Sequence, residues 1–518
     1  MRLNFSRTGL LTALTVTSLF AGANTCGAVG GSLTLVAEEE EGLAPTITRM
    51  EIWRGNIAGK KMPIRQTVPA GVGVVLDRQT VLTLPDGPYS FRMIRGPEYR
   101  IVTGNFTLDS TSLDDHSVQL PRIINMLGKG WTSGDCCVVA SPNSLPLRMA
   151  SEDLHMATSL GDSLAKPIPH RKSDDAIGNE PIWIRTDAAH RDGLVFYGMN
   201  ESDLDDNKLP VEQIVSVDKQ SETKIAIENP FAWQLPVWLA SQRIDGAFVF
   251  GDWLRLDRKV MTVKNGRAPQ NSLGGGQAVG RWSETIYRNM LDAGFRMPPL
   301  AGGGSDSANT PVGYNRLYVG EPLDSYSTGQ SQQQTKQDVR AVESADEWWS
   351  AAWRGHSVAT NGPLLRPKLD GKIPGHVFTA TQGDVLQLRP ELSLSVRDKV
   401  EYLEVIHNNR VDYSARLDEF AKAGGILPKV EITESGWVVI RVITHHEDHY
   451  RAALSAPWYI DFDGQPRVGK EAVEFFQQWL EAYEKRLKRL PPVELQRHAP
   501  FVRGARKFWN AKSTVATD

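Results

Sequence analysis

The chain has 518 residues, 41% apolar and 23% charged, which is too long for one ordinary domain and too apolar for a disordered one. Its 58 basic and 61 acidic residues leave a formal net charge of -3, so no global field draws it to nucleic acid or to an anionic membrane. Only three cysteines are present, and Cys136 and Cys137 are neighbours that geometry keeps from bridging each other, which excludes a disulfide scaffold.

Residues 1–23 read as an export signal. Arg2 and Arg7 form a positive start, Leu10 to Phe20 an apolar stretch, and Ala21-Gly22-Ala23 a small-x-small cleavage site. The apolar stretch is too short and too rich in threonine for a membrane span. Export is therefore expected, with no transmembrane anchor. Residues 24–46, with the acidic run Glu38 to Glu41, read as a linker. Residues 47–125 hold short apolar runs such as TRMEIWRG, YSFRMI and RIVTGNFTL, punctuated by Gly and Pro. They predict an N-terminal β domain.

From 126 to 362 the pattern is mixed α/β. Strands are predicted at Cys136 to Ala140, Leu194 to Tyr197, Lys224 to Ile227, Gly246 to Phe250 and Leu317 to Val319. Helices are predicted at Leu145 to Ala157, Trp282 to Ala293 and Ala345 to Trp353. A tight turn is read at Gly134-Asp135, and 321–344 is a Ser/Gln-rich insertion. Strand signals return over 363–466. Residues 467–490 carry Ala472, Phe475, Phe476, Trp479, Leu480, Tyr483 and Leu487 at helical spacing and predict a packing helix that Pro491-Pro492 ends. Residues 491–518 read as a loosely held tail.

Five pieces in this order carry a resemblance: Ser133-Gly134-Asp135, RMASEDLHMAT (148–158), NPFAWQLPVWLAS (229–241), PVGYNRLYV (311–319) and TNGPLLRP (360–367). Together they resemble the polymerase-and-histidinol-phosphatase (PHP) metallohydrolases, in the branch named for carbaryl hydrolase. The resemblance runs from about residue 85 to 490. It implies a multidomain α/β protein: a PHP-like distorted (β/α)7 barrel flanked by N-terminal and C-terminal β segments. It also implies divalent metals at the strand ends and hydrolysis of ester, amide or phosphoester bonds by metal-activated water.

The family's first motif, Gly-Asp-Leu-His-x-His, reads here Gly134-Asp135-Cys136-Cys137-Val138-Val139. Cys137 stands for one metal histidine, and Val139, which has no lone pair, for the other. The ligands that the resemblance leaves are Cys137, His155, Asp252 and Asp306, with Asp135, Glu152 and Asp153 behind them. That set is expected to hold at most one divalent ion, zinc. The family's multinuclear centre is not expected. His155 also reads as an ordinary hydrogen-bonded histidine, and Asp252 and Asp306 as solvated loop acids.

Trp233 and Trp238 read either as core or as walls of a cleft for a small molecule or polysaccharide-like ligand. The rival to a hydrolase with a degenerate site is thus a catalytically inactive exported ligand- or carbohydrate-binding protein. His445, His446 and His449 sit in an acidic turn outside every motif and are left out of the site.

Overall fold

The computed structural model describes residues 31–517 apart from 58–59, 63, 65–66, 112, 141, 161–180, 256–265, 270–274, 305–309, 324–338 and 447–449. The export signal, Cys26 and Asp306 therefore lie outside the described residues. No helix among those described is long and apolar enough to cross a membrane.

The N-terminal part is a two-sheet sandwich. Ser32–Glu39 pairs parallel with Leu113–Leu120 and antiparallel with Gln79–Thr83. The facing sheet runs Pro69–Ala70, Gly73–Asp77, Ile47–Arg54, Gly87–Ile94, Val102–Leu108, with Lys60–Lys61 added on Ile47–Arg54. Leu33, Leu35 and Ala37 alternate into the core against Met50, Ile52, Phe91 and Met93, the period-two pattern of a half-buried strand. Part of the expected linker is thus a core strand.

The body is built on two further sheets. The larger has eleven strands. Its path is Trp183–Arg185, Met156–Ser159, Thr132–Val138, Arg316–Val319, Ser357–Thr360, Arg451–Ser455, Gly436–Thr444, Val400–His407 and Arg410–Ala415, with Trp458–Phe462 and Val377–Ala380 branching from it. The smaller runs Ala188–Arg191, Leu194–Tyr197, Lys224–Ile227, Gly246–Phe250 and Pro299–Ala301.

The expected (β/α)7 barrel is corrected by this topology, because neither sheet closes on itself. A barrel of that kind needs parallel neighbours throughout. Here Thr132–Val138 has both edges occupied, by Met156–Ser159 in parallel and by Arg316–Val319 antiparallel. It has no edge left for the smaller sheet. That sheet ends on the three-residue strand Pro299–Ala301, which opens with a residue that cannot donate to a ladder.

Two local expectations also change. Gly134 lies inside the Thr132–Val138 strand rather than in a turn. A Cβ there would stand 2.3 Å from Trp348 Cζ2, so glycine is needed for the indole to cross the strand and donate to Thr132 O at 3.1 Å. The expected helix at Leu145 to Ala157 stops at Ser151, and a strand begins at Met156.

Helix Ala278–Asp292 and helix Lys470–Leu487 close one side of the body, where Trp282 and Trp479 stack with ring centroids 6.3 Å apart. The expected tail is instead the helix Pro492–Val515, with Trp509 fully buried on the same cluster.

Candidate functional site

The strand end that sequence motifs single out is tightly filled. Asp135 is fully buried and accepts hydrogen bonds from the backbone N–H groups of Cys137 at 3.0 Å, Gly303 at 3.0 Å and Gly313 at 2.8 Å. Burial pushes its carboxyl up to about 7 even though these three donors favour the charged form. The glycine run 302–304 is there for close approach: a Cβ on Gly302 would lie 2.8 Å from Cys137 N and 2.9 Å from Asp135 Oδ1. Asp135 thus pins the loop to the strand.

Cys137 is 1% exposed. Burial raises its thiol well above the ordinary range, and the Glu228, Asp135 and Asp252 charges add to that. Val139 is 37% exposed and offers no donor. Cys136 is buried with its thiol also raised, and its carbonyl accepts from Tyr197 Oη at 2.9 Å.

The EDLH motif does different work from that expected. Glu152 Oε1 lies 2.5 Å from Arg49 Nε of the sandwich. Asp153, at φ +54°, binds Arg95 at 3.0 Å and Arg122 at 2.9 Å. Both acids dock the N-terminal sandwich on the body. His155 is 2% exposed and has its Nδ1 2.9 Å from Ser133 Oγ.

Zinc binding is therefore corrected. Among the described residues no group of three or more His, Cys, Asp or Glu side chains is arranged to hold a metal ion. His155 faces Ser133, Glu152 and Asp153 face arginines, and Cys137 is buried in the apolar core. Asp252 is half-buried beside Gly304.

Two groups near Cys137 escaped sequence reasoning. His190 Nε2 lies 2.7 Å from Glu228 Oε2. Burial pulls this imidazole down, but the Glu228 hydrogen bond and charge, helped by Glu201 and Asp252, outweigh it and raise its pKa. Glu228 immediately precedes the NPFAW motif, which was its one visible signal.

The two tryptophans separate. Trp238 is fully buried core. Trp233 lines a cavity of about 380 Å³ with Tyr483, Leu487 and His498, its ring 4.3 Å from the Arg486 guanidinium carbon.

The most chemically loaded cavity lies where the sandwich meets the body. It has a volume of about 410 Å³ and draws on three distant stretches of chain. The sandwich gives Arg49, Glu51, Lys61, Arg92, Ile94 and Ile101. The middle of the chain gives Glu152, Pro311, Tyr314 and Arg316. The C-terminal strands give Asn361, Arg397, Asp398, His446 and Arg451. Six basic side chains face three carboxylates.

The pairing of those charges is uneven. Arg49 is held by Glu51 and Glu152, each at 2.5 Å, and Arg92 by Glu51. Arg451 is held by Asp398 at 2.9 Å. Arg316 donates to the carbonyls of Gly313 at 2.5 Å and Glu152 at 3.0 Å, with Asp153 O at 3.5 Å, and also bonds the Tyr318 hydroxyl. Arg397 likewise donates to Gly96 O at 3.0 Å and Tyr99 O at 3.2 Å. Burial, reinforced by the Arg451 charge, pulls the Arg397 guanidinium down to about 10. Positive charge is therefore concentrated where the fold's own carboxylates are already committed.

No protein-family model matches the chain, and no curated protein matches it either.

Proposed function

We propose that this chain is an exported, non-catalytic binding protein that captures an anionic ligand in the cleft between its N-terminal sandwich and its body. The single observation that carries the reading is the pair Arg316 and Arg397, whose guanidinium groups hydrogen-bond backbone carbonyls, and in Arg316 also the Tyr318 hydroxyl, but form no ion pair with a carboxylate among the described residues. Burial outweighs the Asp398 and Glu152 charges near Arg397 and pulls its guanidinium down, and an anion entering the cleft offsets that cost. The volume falls in the range of small-molecule sites.

The absence of catalysis is supported by the donor set at the strand end. The positions that carry metal histidines in the resembled hydrolases hold a buried thiol and a valine, and His155 is engaged with Ser133. Export rests on Arg2, Arg7 and the Ala21-Gly22-Ala23 site.

Titration calorimetry on the full chain, with small carboxylates and sulfates against their neutral amide or alcohol counterparts, tests the reading. The anions are expected to bind, more weakly at high salt. Equal binding of the neutral counterparts, or no binding of any anion, rejects it.

A further inference from the structure

The hydrogen bonds of Arg397 leave one side of its guanidinium unused. Nη1 is fixed on Gly96 O and Tyr99 O, which sets the plane of the group. No described residue accepts from Nε or Nη2. Those two N–H bonds are parallel and match the oxygen spacing of a carboxylate or sulfate group. The nearest acids do not compete for them, because Asp398 is on Arg451 and Glu152 is on Arg49.

One neutral side chain of the cleft is already fully engaged. The Asn361 amide is consumed on both sides, its Nδ2 donating to Tyr450 O at 3.0 Å and its Oδ1 accepting from Ala452 N at 2.8 Å. Ile94, Pro97, Ile101 and Pro311 line the same space. An apolar ring or chain placed against these four side chains gains by burial there.

We infer that the cleft ligand is an organic oxyanion with an apolar body, held bidentately on the Nε–Nη2 edge of Arg397. This rests on the anion-binding reading above. Carboxylate and sulfate heads share the required chemistry.

The test is calorimetry on the full chain with cyclohexanecarboxylate, cyclohexyl sulfate, glucuronate and inorganic sulfate. Comparing the first two identifies the preferred head. Wild-type protein is expected to bind the better of these at least about tenfold more tightly than glucuronate or inorganic sulfate. Arg397→Lys keeps the charge and loses the fork, and is expected to weaken that binding about tenfold. Because Arg397 also ties two chain segments, Ile101→Ser, on a partly exposed side chain, supplies a second probe. It is expected to weaken the cyclohexyl ligands and leave inorganic sulfate unchanged.

Folded Arg397→Lys that binds like wild type overturns the bidentate assignment. Glucuronate or inorganic sulfate binding as tightly as the cyclohexyl ligands, or Ile101→Ser binding like wild type, overturns the apolar body. If wild-type protein binds no anion at all, the cleft reading falls first and this inference with it.

Discussion

Arg49 Nε and Glu152 Oε1 lie 2.5 Å apart although 103 residues separate them in sequence. Both side chains are almost fully buried, at 2% and 4% exposure. The pair fastens the sandwich to the body at the rim of the arginine cleft. Its geometry explains why Glu152, which sits in a motif that resembles an enzyme's, has no part in a metal site here.

Removing Glu152 leaves Arg49 with only Glu51, which already serves Arg92. Glu152→Ala is expected to lower stability by about 3–5 kcal/mol, the range for breaking a buried pair. Glu152→Gln keeps the shape and one acceptor and should cost less. Denaturant midpoints of the three proteins check the order; an alanine variant as stable as wild type contradicts the docking role.

A buried acid at the same junction makes stability depend on pH. Glu98 accepts from Tyr318 Oη at 3.0 Å and Met126 N at 2.7 Å. Burial, with the Asp153 charge beside it, raises its carboxyl from 4.5 to about 7, against the pull of Arg122. Between those values the folded chain holds a proton that the unfolded chain has released. The contribution is therefore fully present below about pH 4.5 and is lost as pH rises through about 7. Glu98→Gln should flatten the fall in melting temperature across this window. An unchanged slope removes Glu98 as its source.

The thiol of Cys137 gives a third expectation. Burial and three surrounding carboxylates hold it protonated, and no third donor joins it among the described residues. Zinc added to the full chain is expected to raise the melting temperature no more in wild type than in Cys137→Ser. Elemental analysis finding one zinc per chain, lost in that variant, would restore the metal reading.

Much of the secondary structure was legible because it depends on local pattern. The strands Leu194–Tyr197, Lys224–Ile227 and Gly246–Phe250 and the helix Ala345–Trp353 fall where apolar runs and turn residues put them. The strand Ser32–Glu39 was hidden because its last residues open the acidic run, and charge outweighed the alternation of Leu33, Leu35 and Ala37. The antiparallel pairing of Arg316–Val319 with Thr132–Val138, which prevents closure into a barrel, leaves no trace in either segment's own residues.

The arginine cleft was illegible for a related reason. Arg49, Arg316, Arg397 and Arg451 share no motif and no spacing, and only the meeting of three chain regions brings them together. Composition diluted them further, since the chain's 58 basic residues are matched by 61 acids. His446, set aside as part of a solvated turn, reaches the same cleft.

The C-terminal helix offers the sharpest test of the packing. Residues 491–518 read as a loosely held tail because they open on the Pro491-Pro492 pair that ends the preceding helix and lie at the end of the sequence. Yet Pro at the first turn of a helix removes only a donor that has no partner there, and Trp509 is fully buried in this helix. Its ring stacks on Phe476 with centroids 4.9 Å apart, and its Nε1 donates to Pro236 O at 3.0 Å. Trp509→Ala removes that ring and leaves a cavity against Phe476 and Phe295, and is expected to cost about 3–5 kcal/mol. Trp509→Phe keeps most of the apolar volume, leaves the Pro236 carbonyl short of a donor, and should cost less. Chemical denaturation of both variants measures this, with truncation after Leu490 as the extreme case. That truncation uncovers Phe476 as well and should drive the chain to aggregate. An alanine variant that melts with wild type, together with a soluble and folded truncation, would mean that this helix is the dispensable tail its sequence resembles.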